Sequence, residues 1–530
     1  MVRVEIRLGR ALNLLAGGFL VAVALVALVA PRDPNITYSR WRVWLFLAVL
    51  LAGVLVVHLA RRRRAVPWSD RRLRTLSVAV TAAGSAACTL LAWALRYDAG
   101  WDARVVAEMA HRLVGGHGLT AYQYGYLSRY PNNLPLLVVD DLCARLGGVL
   151  HLAPGTVSVL LNGLGLAVTL QATYWLVSML RGPARGVAAQ LLVLALVGAS
   201  PWMSVAYTDL VSMPLVVLAT ALVVAVPRAR TGAVGTAYAL LASACLLLAY
   251  VVKTTPAISV VAVVLVAALA WRSTPVAVRG RVVVGLLAGL VLFAGGTVVA
   301  KHAVPVVAGV SAERIDRNRT PPTVWWVYMA ATQHAVDGRM RYGGYDTDIV
   351  RATRRLDRDA SARYARAALE RHLADLGPTG YARFLADKAA WNWGDGMFWA
   401  WGEGHDPAEP ALVHGPLTDL VRAWNHPAGG WYATRAAAAQ AAWLLILLAT
   451  GVRLLRARWR WDTGLLVLSV LGIAAFTLVF QGRSRYLLTY VPVVVALAAT
   501  ISLRPAWWRP GRPRSRAGGR AEPATIGRTG

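Results

Sequence analysis

Five stretches of this 530-residue sequence set polar or ionisable side chains at the ends of apolar runs. The first reads Arg96-Tyr97-Asp98-Ala99-Gly100-Trp101-Asp102-Ala103-Arg104. A carboxylate held there is able to take a proton from an acceptor hydroxyl, with Asp102 the first choice and Asp98 the second. Asp102 equally suits the cap or first turn of a helix, because Val105, Val106, Met109, Ala110 and Leu113 share one face of the following segment while Arg104, Glu108 and Arg112 share the other. The second stretch, Tyr130-Pro131-Asn132-Asn133-Leu134-Pro135, opens another helix or forms a proline turn. The third, Pro201 to Asp209, brings a second acid. The fourth, Lys253-Thr254-Thr255-Pro256, and the fifth, Gly482-Arg483-Ser484-Arg485-Tyr486, bring cations. Lys253, Arg483 and Arg485 suit a lipid-linked phosphate or pyrophosphate, or else snorkel to lipid headgroups.

The elements that must position these residues are membrane spans. The chain is 57% hydrophobic and only 15% charged, with mean hydropathy +0.50, against about 25% charged residues in ordinary soluble domains. Its apolar residues gather into runs of about the length that crosses roughly 30 Å of hydrocarbon. These features exclude a water-soluble protein and predict an all-α polytopic membrane protein. A net charge of +30 suggests nucleic acid at first sight. The arginines instead cluster at 61–64 and 71–74, at 453–460 and at 504–520, each against the end of an apolar run. That is the positive-inside pattern of cytoplasmic loops facing anionic membrane lipid, so no nucleic-acid partner is expected. The preference for Arg over Lys, with much Ala and Val, reads as the composition of a GC-rich bacterial genome. Cys88, Cys143 and Cys245 make neither a disulfide framework nor a CxxC metal site. The run at 11–30 is too long for a cleaved signal peptide and reads as a first span.

With the N-terminus inside, spans at 11–30, 43–60 and 76–95 place the 96–132 loop outside. The run at 134–150 carries Asp140 and Asp141, each costing about 2.5–3.5 kcal/mol at a bilayer centre. It is therefore expected to lie along the interface as a juxtamembrane helix. Parity agrees, since only then do Arg181/Arg185, Arg228/Arg230 and Arg272/Arg279/Arg281 all fall inside. Further runs bring the total to 12 spans with both termini cytoplasmic in a bacterial plasma membrane. The chain divides into a hairpin with an Arg-rich loop (1–75), a transmembrane module (76–300), an external segment (301–433), C-terminal spans (434–503) and a disordered Arg-rich tail (504–530). The external segment should hold a helix over 346–376, bounded by Gly343-Gly344 and Gly377-Pro378. Trp325, Trp326, Trp391, Trp393, Trp399 and Trp401 suit either sugar stacking or an interfacial belt.

In this order, the Asp102-x3-Val106-x3-Ala110 segment, the Tyr-Pro helix start, the Tyr-x-Asp turn, the outer Lys-Thr and the Arg-x-Arg-Tyr before the last span resemble the GT-C superfamily of membrane glycosyltransferases. Within it, the chain resembles bacterial relatives of the protein O-mannosyltransferase and aminoarabinose transferase group, glycosyltransferase family 39. The Tyr-Pro-Asn-Asn form and the Lys388 to Trp393 segment are similar to a subgroup of bacterial integral membrane glycosyltransferases. The likeness covers 76 to about 300 and, loosely, 380 to 503. It implies transfer of a sugar from a polyprenyl-phosphate donor on the outer leaflet to an extracytoplasmic acceptor. Asp102 then matches the catalytic acid of the first loop, Asp209 the second acid, and Lys253 and Arg485 the cations on the donor phosphate. Arg483, Tyr486, Tyr130, Asn132, Asn133 and Trp393 complete the implied substrate-binding set. Ala103 stands where many members carry a second adjacent acid, which leaves open the choice between Asp98 and Asp102 and any use of a divalent cation. No other cofactor is implied. The rival reading is a transporter or flippase of a lipid-linked sugar, which would show broken spans in matching halves.

Overall fold

In lipid every backbone N–H and C=O must be satisfied within its own segment, so the apolar runs form helices. The computed structural model describes residues 2–32, 39–63, 68–271, 274, 276–336 and 338–501. Asn35-Ile36-Thr37, whose spacing fits a glycosylation sequon by chance, and the 504–530 tail lie outside these. The helices are α1 (Val2–Val29), α2 (Arg40–Arg63), α3 (Asp70–Leu95), α4 (Trp101–Val114), α5 (Ala121–Arg129), α6 (Leu134–Leu150), α7 (Pro154–Arg181), α8 (Pro183–Val193), α9 (Thr208–Ala225), α10 (Gly232–Val252), α11 (Ala257–Ala270) and α12 (Val276–Val307). There follow α13 (Thr323–Ala331), strands β1 (Gln333–Val336) and β2 (Arg339–Tyr342), α14 (Thr347–Thr353), α15 (Arg358–Trp393), α16 (Pro416–Asn425), α17 (Tyr432–Arg456), α18 (Trp461–Val479) and α19 (Val491–Thr500).

Among the described residues nine helices are long and apolar enough to cross a membrane, and three apolar stretches, Pro183–Gly198, Ala257–Ala270 and Ser484–Thr500, are shorter. Their shortness has a common cause. The first runs through a π-helical turn, Leu194–Gly198, and a 3-10 turn, Pro201–Ser204, before Asp209; α11 follows the extended residue Lys253; and α19 follows a 3-10 stretch, Ser484–Tyr490. All three lose regular helix where the chain delivers the polar residues singled out above.

At the opposite end of the bundle arginines close helix C-termini, as cations do where carbonyls lack partners. Arg181, Arg185 and Arg453 donate to the carbonyls of Thr500, Ala499 and Ala498 at the end of α19. Arg10 reaches the carbonyls of Leu455 and Ala457 at the end of α17, and Arg228 and Arg460 pair with the buried Asp462. Of the arginines that parity assigned to one side, Arg181, Arg185 and Arg228 thus gather at one end, and Arg281 joins them by donating to the Ala229 carbonyl at 2.8 Å; Arg272 lies outside the described residues.

The main core joins α1, α3, α7–α9, α11 and α17–α19. Where α1 crosses α17, Gly17 and Gly451 meet backbone to backbone; a Cβ on Gly451 would stand 2.8 Å from the Gly17 carbonyl oxygen and 3.0 Å from the Val21 nitrogen. Small residues permit this approach. The three cysteines are buried and free.

Arg96, just after α3, donates to Thr156 near the start of α7 at 2.7 Å, so the chain between them leaves and re-enters the bundle at the same end. In that interval α4, α5 and α6 build a small second core, with Val106, Met109, Ala110, Leu127, Leu136 and Leu137 buried against Val310 and Ile315. The amphipathic face expected after Asp102 is the one that packs there. Helix α6 has the expected bounds; Asp141 pairs with Arg145 at 2.7 Å, and burial pushes the Asp140 carboxyl up to about 7.

Two features of 301–433 depart from expectation. Strands β1 and β2 form an antiparallel hairpin, Gln333 opposite Tyr342, within a fold expected to be all-α. The single helix expected over 346–376 is broken at 354–357 into α14 and α15, whereas its expected end at Gly377-Pro378 holds: Gly377 (φ 61°, ψ 175°) is non-helical, and the rest of α15, from Pro378 to Trp393, is a second helix across that kink. That φ is open to glycine, and Pro378 needs no amide partner when it restarts the helix in a first turn.

Substituting Gly451→Leu should force α1 and α17 apart and cost about 1–3 kcal/mol, as overpacking does. A lowered thermal midpoint of the detergent-purified protein, with Gly18→Leu unaffected because nothing lies within 4 Å of its Cβ position, checks this.

Candidate active site

Asp209 lies in the first turn of α9, where a carboxylate suits the helix N-terminus. Lys253 caps the end of α10 in extended conformation, and Arg483 and Arg485 sit where the chain turns from α18 into α19. These four residues, far apart in sequence, meet. Lys253 Nζ pairs with Asp209 Oδ1, and Arg485 Nε stands 3.3 Å from Asp209 Oδ2. Arg485 Nη1 lies 2.8 Å, and Arg483 Nη1 2.6 Å, from the same oxygen of Glu403. All five side chains are less than 10% exposed. Burying charge is tolerable only with pairing of this kind.

Aromatic rings wall the cations. Lys253 Nζ lies 4.5 Å from the Tyr486 ring centre, Arg485 4.1 Å from Tyr207 and 5.7 Å from Trp202, and Arg483 5.1 Å from Trp101 and 5.4 Å from Trp399. Rings of this kind hold a guanidinium by its face while its edge N–H groups stay free for an anion.

Beside this cluster stands the first-loop acid. Asp102 is a first-turn residue of α4, whose cap is Gly100. Its Oδ1 accepts from Tyr126 Oη at 2.6 Å, and that oxygen accepts in turn from Asn133 Nδ2 at 2.5 Å. Asn132 donates to Asn133 at 3.3 Å. Burial first, and then the neighbouring Asp102 charge, hold the Tyr126 phenol well above its ordinary range, so it stays a donor. Tyr130 Oη is 3.0 Å from Tyr345 Oη, which brings the 301–433 segment over the loop. Trp101 joins the two groups: it directly precedes Asp102, and Arg483 lies over its ring.

The loop after α15 carries Glu403, and its backbone is unusual. Phe398, Trp399 and Trp401 have φ of 54°, 62° and 69°, as does Trp101 at 50°, conformations costly for bulky residues. Polar side chains hold the first two. Asp395 accepts from the amides of Met397 and Trp399 and from the Ser484 hydroxyl at 2.5–2.7 Å. Gln440 brackets the loop start by taking the Gly396 amide at 2.6 Å and donating to the Gly394 carbonyl. Trp202 Nε1 donates to the Phe398 carbonyl at 2.8 Å.

Of the residues expected at the site, Asp102, Tyr130, Asn132, Asn133, Asp209, Lys253, Arg483, Arg485 and Tyr486 are thus brought together. Two are not. Asp98 is half exposed and pairs with Arg104 at 3.0 Å, which also holds Glu409. Trp393 is buried in the bundle, edge-on to Phe19 with its indole N–H on Thr477; its neighbours are apolar because it ends α15 on the core side. Glu403, Tyr126, Tyr207, Trp101 and Tyr345 were missed. Glu403 carried a signal in Trp401-Gly402-Glu403-Gly404, a lone acid between glycines directly after the aromatic stretch. Lys388, quoted only for its likeness, is an anchor: its buried ammonium donates to the carbonyls of Ala330, Leu478 and Phe480 at 2.8–2.9 Å and fixes the approach to Arg483.

A divalent cation does not fit the residues present. Asp98 turns to Arg104 while Asp102 accepts from Tyr126, and among the described residues no three His, Cys, Asp or Glu side chains converge as ligands.

The sequence of residues 24–507 matches the model of a family described as a conserved hypothetical integral membrane protein. The chain belongs to that family. No curated protein matches it. Within this integral membrane family the chain presents a buried, ring-walled set of cations and carboxylates at one end of a helix bundle, next to a hydrogen-bonded carboxylate. Chemically, such a set is able to hold an anion and accept a proton beside it.

On the rim of the site, the Ala428 amide donates to His426 Nδ1 at 3.2 Å, which leaves His426 Nε2 to donate to His405 Nε2 at 3.3 Å and His405 Nδ1 to donate to the Asp98 carbonyl at 3.1 Å. This chain needs both imidazoles neutral. Burial, with Arg422 and His405 adding to it, pulls His426 down to about 4 from 6.5, and burial pulls His405 down as well. The unfolded chain therefore binds more protons between those values, and stability is lost as pH falls from about 6.5 to about 4. Thermal midpoints of wild type and His426→Asn should diverge above pH 6.5 and converge toward pH 4. Separately, Asp209→Ala should strand Lys253 and Arg485 and cost about 3–5 kcal/mol. Asp98→Ala, on an exposed pair, should cost below about 1 kcal/mol; denaturation of both variants in detergent measures the contrast.

Proposed function

We propose that this protein is an integral membrane glycosyltransferase of GT-C type, moving a sugar from a polyprenyl-phosphate donor to an acceptor on the extracytoplasmic side of a bacterial plasma membrane. In this reading the three shorter apolar helices also cross, giving twelve spans with both termini cytoplasmic and the site facing outward. The observation that carries it is the meeting of Lys253, Arg483 and Arg485 at one end of the bundle, with Asp102 directly after Trp101, whose ring faces Arg483. An anion site beside a candidate base, at a membrane surface, suits a donor whose leaving group is a lipid phosphate.

The reaction is a single displacement. The acceptor hydroxyl oxygen bonds to the anomeric carbon of the sugar as the bond from that carbon to the phosphate oxygen breaks, and configuration inverts. The hydroxyl proton passes to Asp102, whose Tyr126 contact orients the carboxylate. The bonding electrons remain on the phosphate oxygen, so a phosphodiester carrying one charge becomes a monoester carrying two. Lys253, Arg483 and Arg485 stabilise that growing charge from fixed positions in a desolvated site. The arrangement at outer helix ends favours transfer over carriage of the lipid-linked sugar through the bundle, because the cations and acids described here are not spread through the mid-membrane.

Wild type and Asp102→Asn, purified in detergent, are compared for transfer of labelled sugar from polyprenyl-phosphate donors to an extract of the host cell envelope. Transfer by wild type should fall by about 10²–10⁴-fold in the variant, with donor binding retained. If neither protein transfers label but both bind or flip the donor, the transporter reading takes its place.

A further inference from the structure

Glu403 is held in an unusual way. One of its oxygens lies between Arg483 and Arg485, at 2.6 and 2.8 Å. The contact to Arg483 is a hydrogen bond, whereas Arg485 Nη1 and Nε face carboxylates without hydrogen-bonding alignment to any partner. A planar carboxylate therefore satisfies one guanidinium of the pair and only neutralises the other, while a phosphate offers more oxygens to the same two forks.

The tip that carries Glu403 differs from the loop behind it. Residues 396–399 are tied to Asp395, Gln440 and Trp202. Glu403 itself is flanked by Gly402 and Gly404, the latter at φ 77°, a conformation natural to glycine. Gly402 keeps one backbone bond, its amide to the Trp399 carbonyl at 3.0 Å, and Gly404 lies against the Trp101 ring, so the rotation that would withdraw Glu403 falls on these two glycines and moves Trp101 with it.

From this geometry we infer that Glu403 is an internal stand-in for the donor phosphate, which occupies the Arg483–Arg485 pair in the empty protein and is displaced by the lipid phosphate when it binds. This presupposes the donor site proposed above. With Glu403 in place the cluster has three cations against Glu403 and Asp209; once it withdraws, the same cations face Asp209 alone. Positive charge at the site therefore rises as the donor enters, and it is available when the leaving phosphate acquires its second negative charge. In the empty protein the stand-in keeps two buried guanidiniums from being left without a counter-ion.

The test measures binding of undecaprenyl phosphate in detergent micelles, read by tryptophan fluorescence, for wild type and Glu403→Gln. The variant keeps an oxygen for Arg483 but removes the charge. Removing an occupant that leaves the site open about a tenth of the time strengthens apparent affinity by about tenfold, and tighter binding by Glu403→Gln, in a variant still folded at the assay temperature but with a lowered thermal midpoint because its guanidiniums lose their counter-ion, is the expected result. Equal or weaker binding by the variant, with wild type binding normally, overturns the stand-in role and leaves the donor reading intact. Failure of both folded proteins to bind the phosphate overturns the donor reading itself. A second measurement needs no variant: hydrogen exchange at the amides of residues 402–404 in wild type should accelerate on saturation with undecaprenyl phosphate, and slowed or unchanged exchange overturns the inference.

Discussion

The site depends on burying five charges together. Asp209, Lys253, Arg485, Glu403 and Arg483 come from four separated parts of the chain, and none of them is tolerable alone in its surroundings. Their pairing demands that α9, the end of α10, the turn before α19 and the loop after α15 meet at one place. That demand explains the three short helices. The π and 3-10 turns lead into α9, whose first turn carries Asp209, while extended Lys253 and the 3-10 stretch holding Arg485 leave regular helix to meet it; such backbone is acceptable at membrane depth only where protein or a cavity satisfies it.

The same demand explains the strained aromatic loop. Phe398 and Trp399 adopt left-handed conformations that Asp395 and Trp202 hold through hydrogen bonds. The strain places the Trp399 ring against Arg483 and leads the chain back to Glu403. Lys388 does comparable service from the other side, closing three carbonyls with one ammonium where α18 ends.

Much of this was legible in the residues themselves. Apolar runs and arginine placement locate the helices and their common end, because hydrocarbon admits few alternatives; the two carboxylates of α6 mark it as a helix outside the bundle core, and its bounds follow. Asp209, Lys253 and Arg485 were recognisable as charges that a span end must justify. The partners of those charges were not. Nothing in the spacing of Glu403 from Arg483, 80 residues apart, indicates contact, since that depends on how a long irregular segment folds back. The β-hairpin was hidden for the opposite reason: strands of four residues rest on local turn geometry and carry too little periodicity to read. Trp393 misled because tryptophans near a membrane look alike in sequence, while its burial is decided by which face of α15 meets the bundle.

The residues of 301–433 are accordingly part of the site and not an appendage to it. The bundle supplies the cations and Asp209, and the first loop supplies Asp102, but the counter-ion Glu403, the ring of Trp399 and the Tyr345 contact to Tyr130 all come from this segment. A bundle without it would leave Arg483 without its carboxylate and Lys253 and Arg485 sharing Asp209, an excess of buried positive charge that desolvation makes costly. The segment also abuts the candidate base: the Gly404 carbonyl lies so close to Gly100 that a Cβ there would come within 2.3 Å of it, and a Cβ on Gly404 would meet the Trp101 ring. Glu403 and Asp102 are thus each next in sequence to residues that touch one another, so a displacement at the anion site and the position of the carboxylate are coupled through packed backbone.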